Sequence, residues 1–166
     1  MKAIRKPAST GSKSEIGQER RQTYAAVWNA INHADQHGCW LEVITLCESV
    51  IADRLEARLA FLADQCDRAR RVHTANAAAG TLLKSPALTD DERQMCEAVR
   101  KWSRARNAAL HELAKLIEGT SESGEARWEA AKRTAEEGRA LARLVSNIVQ
   151  RANRYKSGAQ SSREAS

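Results

Sequence analysis

The segment 40–62 is the most hydrophobic part of the chain, and its pattern constrains the fold more than any other feature. Its apolar side chains cover most of a helical circumference: Leu41, Val43, Ile44, Leu46, Cys47, Val50, Ile51, Leu55, Leu59 and Leu62. A helix that is apolar on more than one side must be surrounded by other elements. The sequence therefore predicts a central helix that begins near Trp40 and is covered by further helices.

Helical patterns also precede and follow this segment. A helix is predicted over 15–33 because apolar residues recur there at helical spacing: Tyr24, Val27, Trp28 and Ile31. Gly38 is the expected C-cap in the turn that follows. The Ala-rich segment 73–88 can hold a short helix before Pro86.

Two long helices are predicted in the second half of the chain. Thr89 and Glu92 match a capping box, which marks the start of a helix that continues to about residue 117. Its apolar stripe consists of Met95, Val99, Trp102, Ala109, Leu113 and Ile117. The helix predicted over 126–155 is expected to face inward with Trp128, Ala131, Ala135, Leu141, Leu144, Val145, Ile148 and Val149. The fold class is therefore all-α, an antiparallel bundle of four to five helices.

A chain of 166 residues fits one domain, which we place at 15–156. Composition predicts a disordered basic N-terminus over 1–14 and a disordered tail over 157–166. No apolar run reaches 18 residues, and the N-terminus lacks the apolar segment of a secretory signal. These features predict a cytoplasmic protein that does not associate with membranes.

The charge balance favours a nucleic-acid partner. Lys and Arg total 27 against 21 Asp and Glu, which gives a formal net charge of +6, and 19 of the cations are arginine. Arginine binds phosphate through two parallel hydrogen bonds and stacks on bases. The cysteines are too widely spaced for a zinc site and are interpreted as reduced thiols, so no metal or other cofactor is expected: Cys39, Cys47, Cys66 and Cys96.

One short motif can carry chemistry, the hexapeptide from Arg106 through Asn107 to His111 in the helix that follows the capping box. Arg106 falls inside the apolar stripe of that helix and therefore needs a partner, because burying an unpaired charge is costly. His111 lies about 140° further around an ideal helix, on a polar face. That face also carries Arg100, Arg104, Asn107 and Lys115.

These residues resemble the signature of the HEPN superfamily, in which an arginine, often followed by a polar residue, precedes a histidine by four to six intervening residues. The resemblance implies a small α-helical bundle and, for many members, metal-independent ribonuclease activity in toxin, defence and RNA-processing systems. It also implies an active cleft formed across a homodimer. The spacing of Arg104 to His111 satisfies the longer form of the signature, so either Arg104 or Arg106 can be the motif arginine.

The resemblance also implies a role for each residue. His111 would act as general base or acid, Arg106 would stabilise charge on the phosphate, and Asn107 would orient His111. Glu48 would be the acidic residue that supports Arg106. Arg100 and Lys115 are expected to contact the RNA because they share the polar face of His111.

Other interpretations remain open at this point. The chain could be a non-catalytic helical module that binds nucleic acid or protein, such as an antitoxin or immunity subunit. The basic run 67–73 and a basic face of the last helix could each touch a phosphate backbone or be solvated surfaces. The residues of that face are Arg139, Arg143, Arg151, Arg154 and Lys156. A stacking platform for single strands is not expected, because few aromatic residues are interleaved with these charges.

Overall fold

The computed structural model describes residues 15–63, 74–114 and 124–164. These residues form five α-helices and no strand, which confirms the all-α fold class. The helices are α1 (Glu15–Gln36), α2 (Trp40–Ala63), α3 (Ala75–Leu82), α4 (Asp90–Ala114) and α5 (Gly124–Glu164). The predictions for 1–14, Cys66, the basic run 67–73, Lys115 and Ile117 lie outside the described residues, as do those for the side chains of Leu113, Arg154 and Lys156.

Helix α2 lies at the centre of the bundle, as its all-round apolar pattern predicts. It packs against α1, α3 and α5, while α4 covers the other side of α3 and α5. Its buried residues form the middle of the core: Val43, Ile44, Cys47, Val50, Ile51 and Leu55. Side-chain contacts show the helix directions, because Trp40 contacts Lys132 while Arg58 contacts Asn153, so α2 and α5 are parallel.

The two predicted helix caps are confirmed. Gly38 has a φ of 69°, and the amides of Gly38 and Cys39 donate to the carbonyls of Asp35 and Ala34, which is a Schellman motif. At the start of α4 the Glu92 amide donates to Thr89 Oγ1 over 3.3 Å, and the Thr89 amide donates to Glu92 Oε2 over 3.0 Å. This reciprocal pair is the capping box.

Glu92 has a second role that the sequence pattern did not indicate. Its Oε1 lies 2.7 Å from Arg58 Nε, and the two side chains are 1% and 2% exposed. Arg58 Nη1 also donates to Asn153 Oδ1 over 3.0 Å. A buried ion pair of this kind links α2, α4 and α5, since both charges depend on each other and on these hydrogen bonds.

Helices α4 and α5 approach closely where Trp102 meets Gly138. Trp102 Nε1 donates to the carbonyl of Thr134 over 2.9 Å. A Cβ atom at position 138 would lie 2.7 Å from Trp102 Cζ2, so the indole occupies the space that any other side chain would need.

Two helix boundaries differ from the predicted ones. Helix α1 continues to Gln36 instead of ending near His33, because the first residue that departs from helical geometry is Gly38. Helix α5 ends at Glu164, beyond the predicted end near residue 155, so 157–164 are helical where a tail was expected. No proline interrupts that stretch.

Two residues of α5 that were expected to face inward are exposed. Trp128 is 46% exposed because it lies one turn before Lys132, which is already level with the first residue of α2. Leu144 is 44% exposed, whereas Ala142 is fully buried. A step of two residues along a helix corresponds to about 200° of rotation, so Leu144 lies on the side of α5 opposite to Ala142.

Candidate functional site

Arg106 lies at the boundary of the core and has the acidic partner that its position requires. Its Nη2 lies 2.7 Å from Glu48 Oε1, and the two side chains are 20% and 15% exposed. The predicted pairing of Glu48 with Arg106 is therefore present in the structure. It forms because the apolar stripe of α4 turns Arg106 toward α2, where Glu48 lies beside the buried Cys47.

Glu48 also holds the first turn of α3. Its Oε1 accepts a hydrogen bond from the amide of Ala75 over 3.1 Å, directly after the N-cap Thr74. The N-terminus of a helix favours a negative charge, so this position stabilises the carboxylate. Glu48 Oε2 and Arg106 Nε are buried without a hydrogen-bond partner. The cluster thus connects three helices through one carboxylate oxygen.

Asn107 is bound to Arg106. Arg106 Nη1 donates to Asn107 Oδ1 over 2.6 Å, and the Asn107 side chain is exposed. We expected Asn107 to orient His111, and the described hydrogen bond of Asn107 goes to Arg106 instead. The amide therefore links the half-buried guanidinium to the exposed face of α4.

His111 and Arg106 lie on different sides of α4. His111 is exposed, and five residues separate the two along a regular helix, which corresponds to about 140° of rotation and about 7.5 Å of rise. Within one chain Arg106 faces α2, and His111 faces solvent. A site that uses both groups needs a substrate or a second copy that reaches around the helix.

The exposed face of α4 is basic over about three turns, from Arg100 to His111. Arg100, Lys101 and Arg104 are exposed on it, followed by Asn107 and His111. No acidic residue occurs between Glu97 and Glu112. Arg104 is fully on this surface, whereas Arg106 is held by Glu48, so the two candidate motif arginines differ in their freedom to contact a ligand.

Two thiols are buried and stay protonated at neutral pH. Burial raises the pKa of Cys47 and of Cys96 to about 12. Cys39 is exposed at the end of the turn after α1. In the described part of the chain, no group of three or more His, Cys, Asp or Glu side chains is arranged to hold a metal ion.

A second polar cluster joins α1 to α5, and the sequence patterns did not indicate it. Arg139 Nη1 pairs with Asp35, and Arg139 Nη2 donates to Asn32 Oδ1 over 3.4 Å. Arg143 lies over the ring of Trp28, with 5.5 Å between Cζ and the ring centroid. The sequence predicted a basic face on the last helix, but helix periodicity does not show which residues of another helix contact that face.

The chain matches no family model, no curated protein and no solved structure in comparisons with each of these sets. Over the described residues, the helices include none with the length and apolar character that crossing a membrane requires.

Proposed function

We propose that the protein is a metal-independent endoribonuclease of the HEPN type, with His111 as its general base or acid. The observation that carries this proposal is the Glu48–Arg106–Asn107 cluster beside an acid-free basic face that ends in an exposed histidine. A cationic surface of this kind attracts the phosphate backbone of RNA. Histidine is the side chain best suited to proton transfer at neutral pH.

The reaction would proceed by attack of the ribose 2′-oxygen on the adjacent phosphorus. A His111 imidazole takes the proton of the 2′-OH, the new O2′–P bond forms, and the P–O5′ bond breaks. The leaving 5′-oxygen takes a proton from an imidazolium. Arg106 or Arg104 stabilises the additional charge on the phosphoryl oxygens. The products are a 2′,3′-cyclic phosphate and a 5′-hydroxyl, and DNA is inert because it lacks the 2′-OH.

A homodimer would supply the second histidine that the reaction needs and that one chain does not place beside His111. One exposed His111 can act as base and the other as acid when two copies of α4 face the same phosphate. This arrangement would also bring Arg106 of one copy closer to His111 of the other than the 140° offset of one helix allows. A cytoplasmic toxin or phage-defence effector is the setting that we propose, with an antitoxin or similar protein as the partner that restrains cleavage.

The test is an RNA-cleavage assay in EDTA with purified wild-type protein and the His111→Ala variant. End-labelled tRNA is the substrate, and a DNA of the same length is the control. We expect cleavage of RNA alone, with 2′,3′-cyclic phosphate ends, and a loss of at least about 100-fold in the variant. His33→Ala is the matched control, because His33 is an exposed histidine on α1.

The outcome separates catalysis from folding. The His111→Ala variant should unfold at the same temperature as the wild type, since the side chain is exposed. Equal cleavage by wild type and His111→Ala, or equal losses in the His111 and His33 variants, would contradict the assignment of His111.

The second candidate is a non-catalytic nucleic-acid-binding module, and the basic face of α4 favours it. A row of exposed cations without acidic residues binds phosphates whether or not a histidine acts on them. Salt-dependent binding of RNA and DNA without cleavage would support this candidate.

A further inference from the structure

Two histidines lie one turn apart at the end of α1, and their rings are close together. His33 belongs to the last turn of the helix, and His37 is the first residue after it. The two ring centroids are 4.2 Å apart, with an angle of 45° between the ring planes. Both residues are exposed, so solvent and dissolved ions reach the pair.

A hydrogen bond to the backbone fixes the tautomer of His37. Its Nδ1 lies 2.8 Å from the carbonyl oxygen of His33. A carbonyl oxygen only accepts hydrogen bonds, so Nδ1 carries the hydrogen and the neutral ring has its free lone pair on Nε2. Histidine ligands of metal ions have this arrangement, in which one ring nitrogen binds the ion and the other donates to a carbonyl or carboxylate. The ring of His37 is therefore already in the form that binds a metal ion.

The separation of the two rings is close to the value that a shared metal ion requires. With metal–nitrogen bonds of about 2.0–2.1 Å, two imidazole rings bound to one ion have their centroids about 4.5–5 Å apart. The observed 4.2 Å falls a few tenths of an ångström below this range. Because both residues are exposed, small rotations about their side-chain bonds can supply the difference.

The charges around the pair are compatible with a bound cation. No lysine or arginine occurs over 22–53, the longest stretch of this basic chain without one. Arg139 and Arg143 of α5 contact residues of α1 that lie at least about 100° around the helix from His33. These two cations therefore approach α1 on sides other than that of the histidine pair.

We propose that His33 and His37 form a binding site for one divalent metal ion of the class that prefers imidazole nitrogen, represented by Zn²⁺. In the part of the chain that the structure describes, no third His, Cys, Asp or Glu side chain completes the group, so water supplies the remaining ligands. The exposed Cys39 follows the pair, and its Sγ is directed at the carbonyl of His37 over 3.9 Å. A bound ion would connect the last turn of α1 to the turn that leads into α2.

The test measures Zn²⁺ binding to the purified chain by isothermal titration calorimetry in a buffer without chelators. The wild type should bind one Zn²⁺ per chain. His33→Ala and His37→Ala should each weaken binding at least about 10-fold, because the second imidazole of a chelate acts at a high effective concentration. His37→Asn should lose as much, since an amide can still donate to the carbonyl of His33 but is a poor ligand for zinc.

Two matched controls keep the histidine pair intact. His111→Ala removes an exposed histidine of α4, and Cys39→Ser removes the thiol that follows the pair. Each should change the Zn²⁺ affinity less than about threefold, as expected for an exposed residue that is not a ligand. Zn²⁺ should also raise the unfolding temperature of the wild type and both controls, because the unfolded chain does not hold the two rings together. This rise should be absent in His33→Ala and His37→Ala.

Three results would overturn the metal site. They are the absence of saturable Zn²⁺ binding by the wild type, wild-type affinity in both histidine-to-alanine variants of the pair, and a loss in Cys39→Ser as large as theirs. The RNA-cleavage assay contains EDTA, which keeps the pair free of metal. His33→Ala therefore stays a valid control there, and this inference and the proposed nuclease fail separately.

Discussion

The guanidinium of Arg58 and the carboxylate of Glu92 form an ion pair inside the bundle, with 2.7 Å between Nε and Oε1. Both side chains are almost fully buried. Asn153 accepts a further hydrogen bond from Arg58, and Thr89 donates to the second oxygen of Glu92. Every charged group in this arrangement therefore has a hydrogen-bond partner.

Removal of one member of this pair should destabilise the protein strongly. Arg58→Met leaves the Glu92 carboxylate buried without its cation, so we expect the free energy of unfolding to fall by about 3–5 kcal/mol. The double variant Arg58→Met/Glu92→Gln should recover part of that loss, since glutamine removes the charge and still fits a capping box. Urea unfolding followed by circular dichroism gives both values. Arg133→Met, at an exposed position of α5, is the control. Identical losses in the single and double variants would contradict this explanation.

The contact between Trp102 and Gly138 predicts opposite effects of one substitution at two glycines. Gly138→Ala should lower the free energy of unfolding by about 1–3 kcal/mol, because its Cβ would overlap the indole. Gly80→Ala should raise it by about 0.5–1 kcal/mol, because Gly80 is inside α3 with no atom within 4 Å of the added Cβ. Thermal unfolding of the two variants measures the difference. A stable Gly138→Ala variant would show that Trp102 moves freely.

Glu48 should contribute to stability through α3 and to RNA cleavage through Arg106. Glu48→Ala removes the acceptor of the Ala75 amide and the partner of Arg106, so we expect a loss of about 1–3 kcal/mol. Glu48→Gln keeps an acceptor for the amide and should lose less. On the proposed nuclease function, both variants should cleave RNA more slowly because Arg106 is no longer oriented. Equal unfolding free energies for the alanine and glutamine variants would exclude the role of Glu48 at α3.

The buried thiols predict a loss of stability at alkaline pH. Burial raises the pKa of Cys47 and Cys96 from 9.0 to about 12, so thiolates form more readily in the unfolded chain than in the folded one. Their contribution to stability is therefore complete below pH 9 and is lost as the pH rises toward 12. Unfolding free energies at pH 7, 9 and 10.5 should decrease in that order, and the Cys96→Ala variant should decrease less steeply.

The same burial can be measured through thiol reactivity. In a Cys66→Ser background at pH 8, Cys39 should react with Ellman's reagent at once, because it is exposed. Cys47 and Cys96 should react after unfolding. Rapid reaction of all three thiols in the folded protein would show that Cys47 and Cys96 are accessible and would contradict their burial.

The parts of the fold that depend on local chemistry could be predicted from sequence. Thr89 and Glu92 bind each other's amides whatever surrounds them, and Gly38 ends α1 because a glycine readily adopts positive φ. The need of Arg106 for a partner could be predicted for a different reason, because an arginine in an apolar stripe requires a counter-ion. The choice of Glu48 as that partner came from the resemblance to the HEPN superfamily, and the structure shows this pair.

The parts that depend on which helices meet could not be predicted in this way. Helix periodicity assigned Trp128 and Leu144 to the core, but both are exposed. Trp128 lies where α5 extends beyond the first residue of α2, and Leu144 lies on the solvent side of α5. The sequence patterns did not indicate that Arg58 is buried, and its burial follows from the convergence of α4 and α5 at that level.

The two oxygens of Glu92 connect the start of helix α4 to the buried ion pair in the core. Oε2 closes the first turn of α4, and Oε1 neutralises a cation that lies between α2 and α5. Fraying of that turn would therefore also withdraw the counter-ion of Arg58, so the start of α4 cannot open independently of the core. The amide protons of Thr89 and Glu92, which the capping box binds, should therefore exchange with solvent as slowly as those of α2, which makes this helix terminus part of the most cooperative unit of the protein.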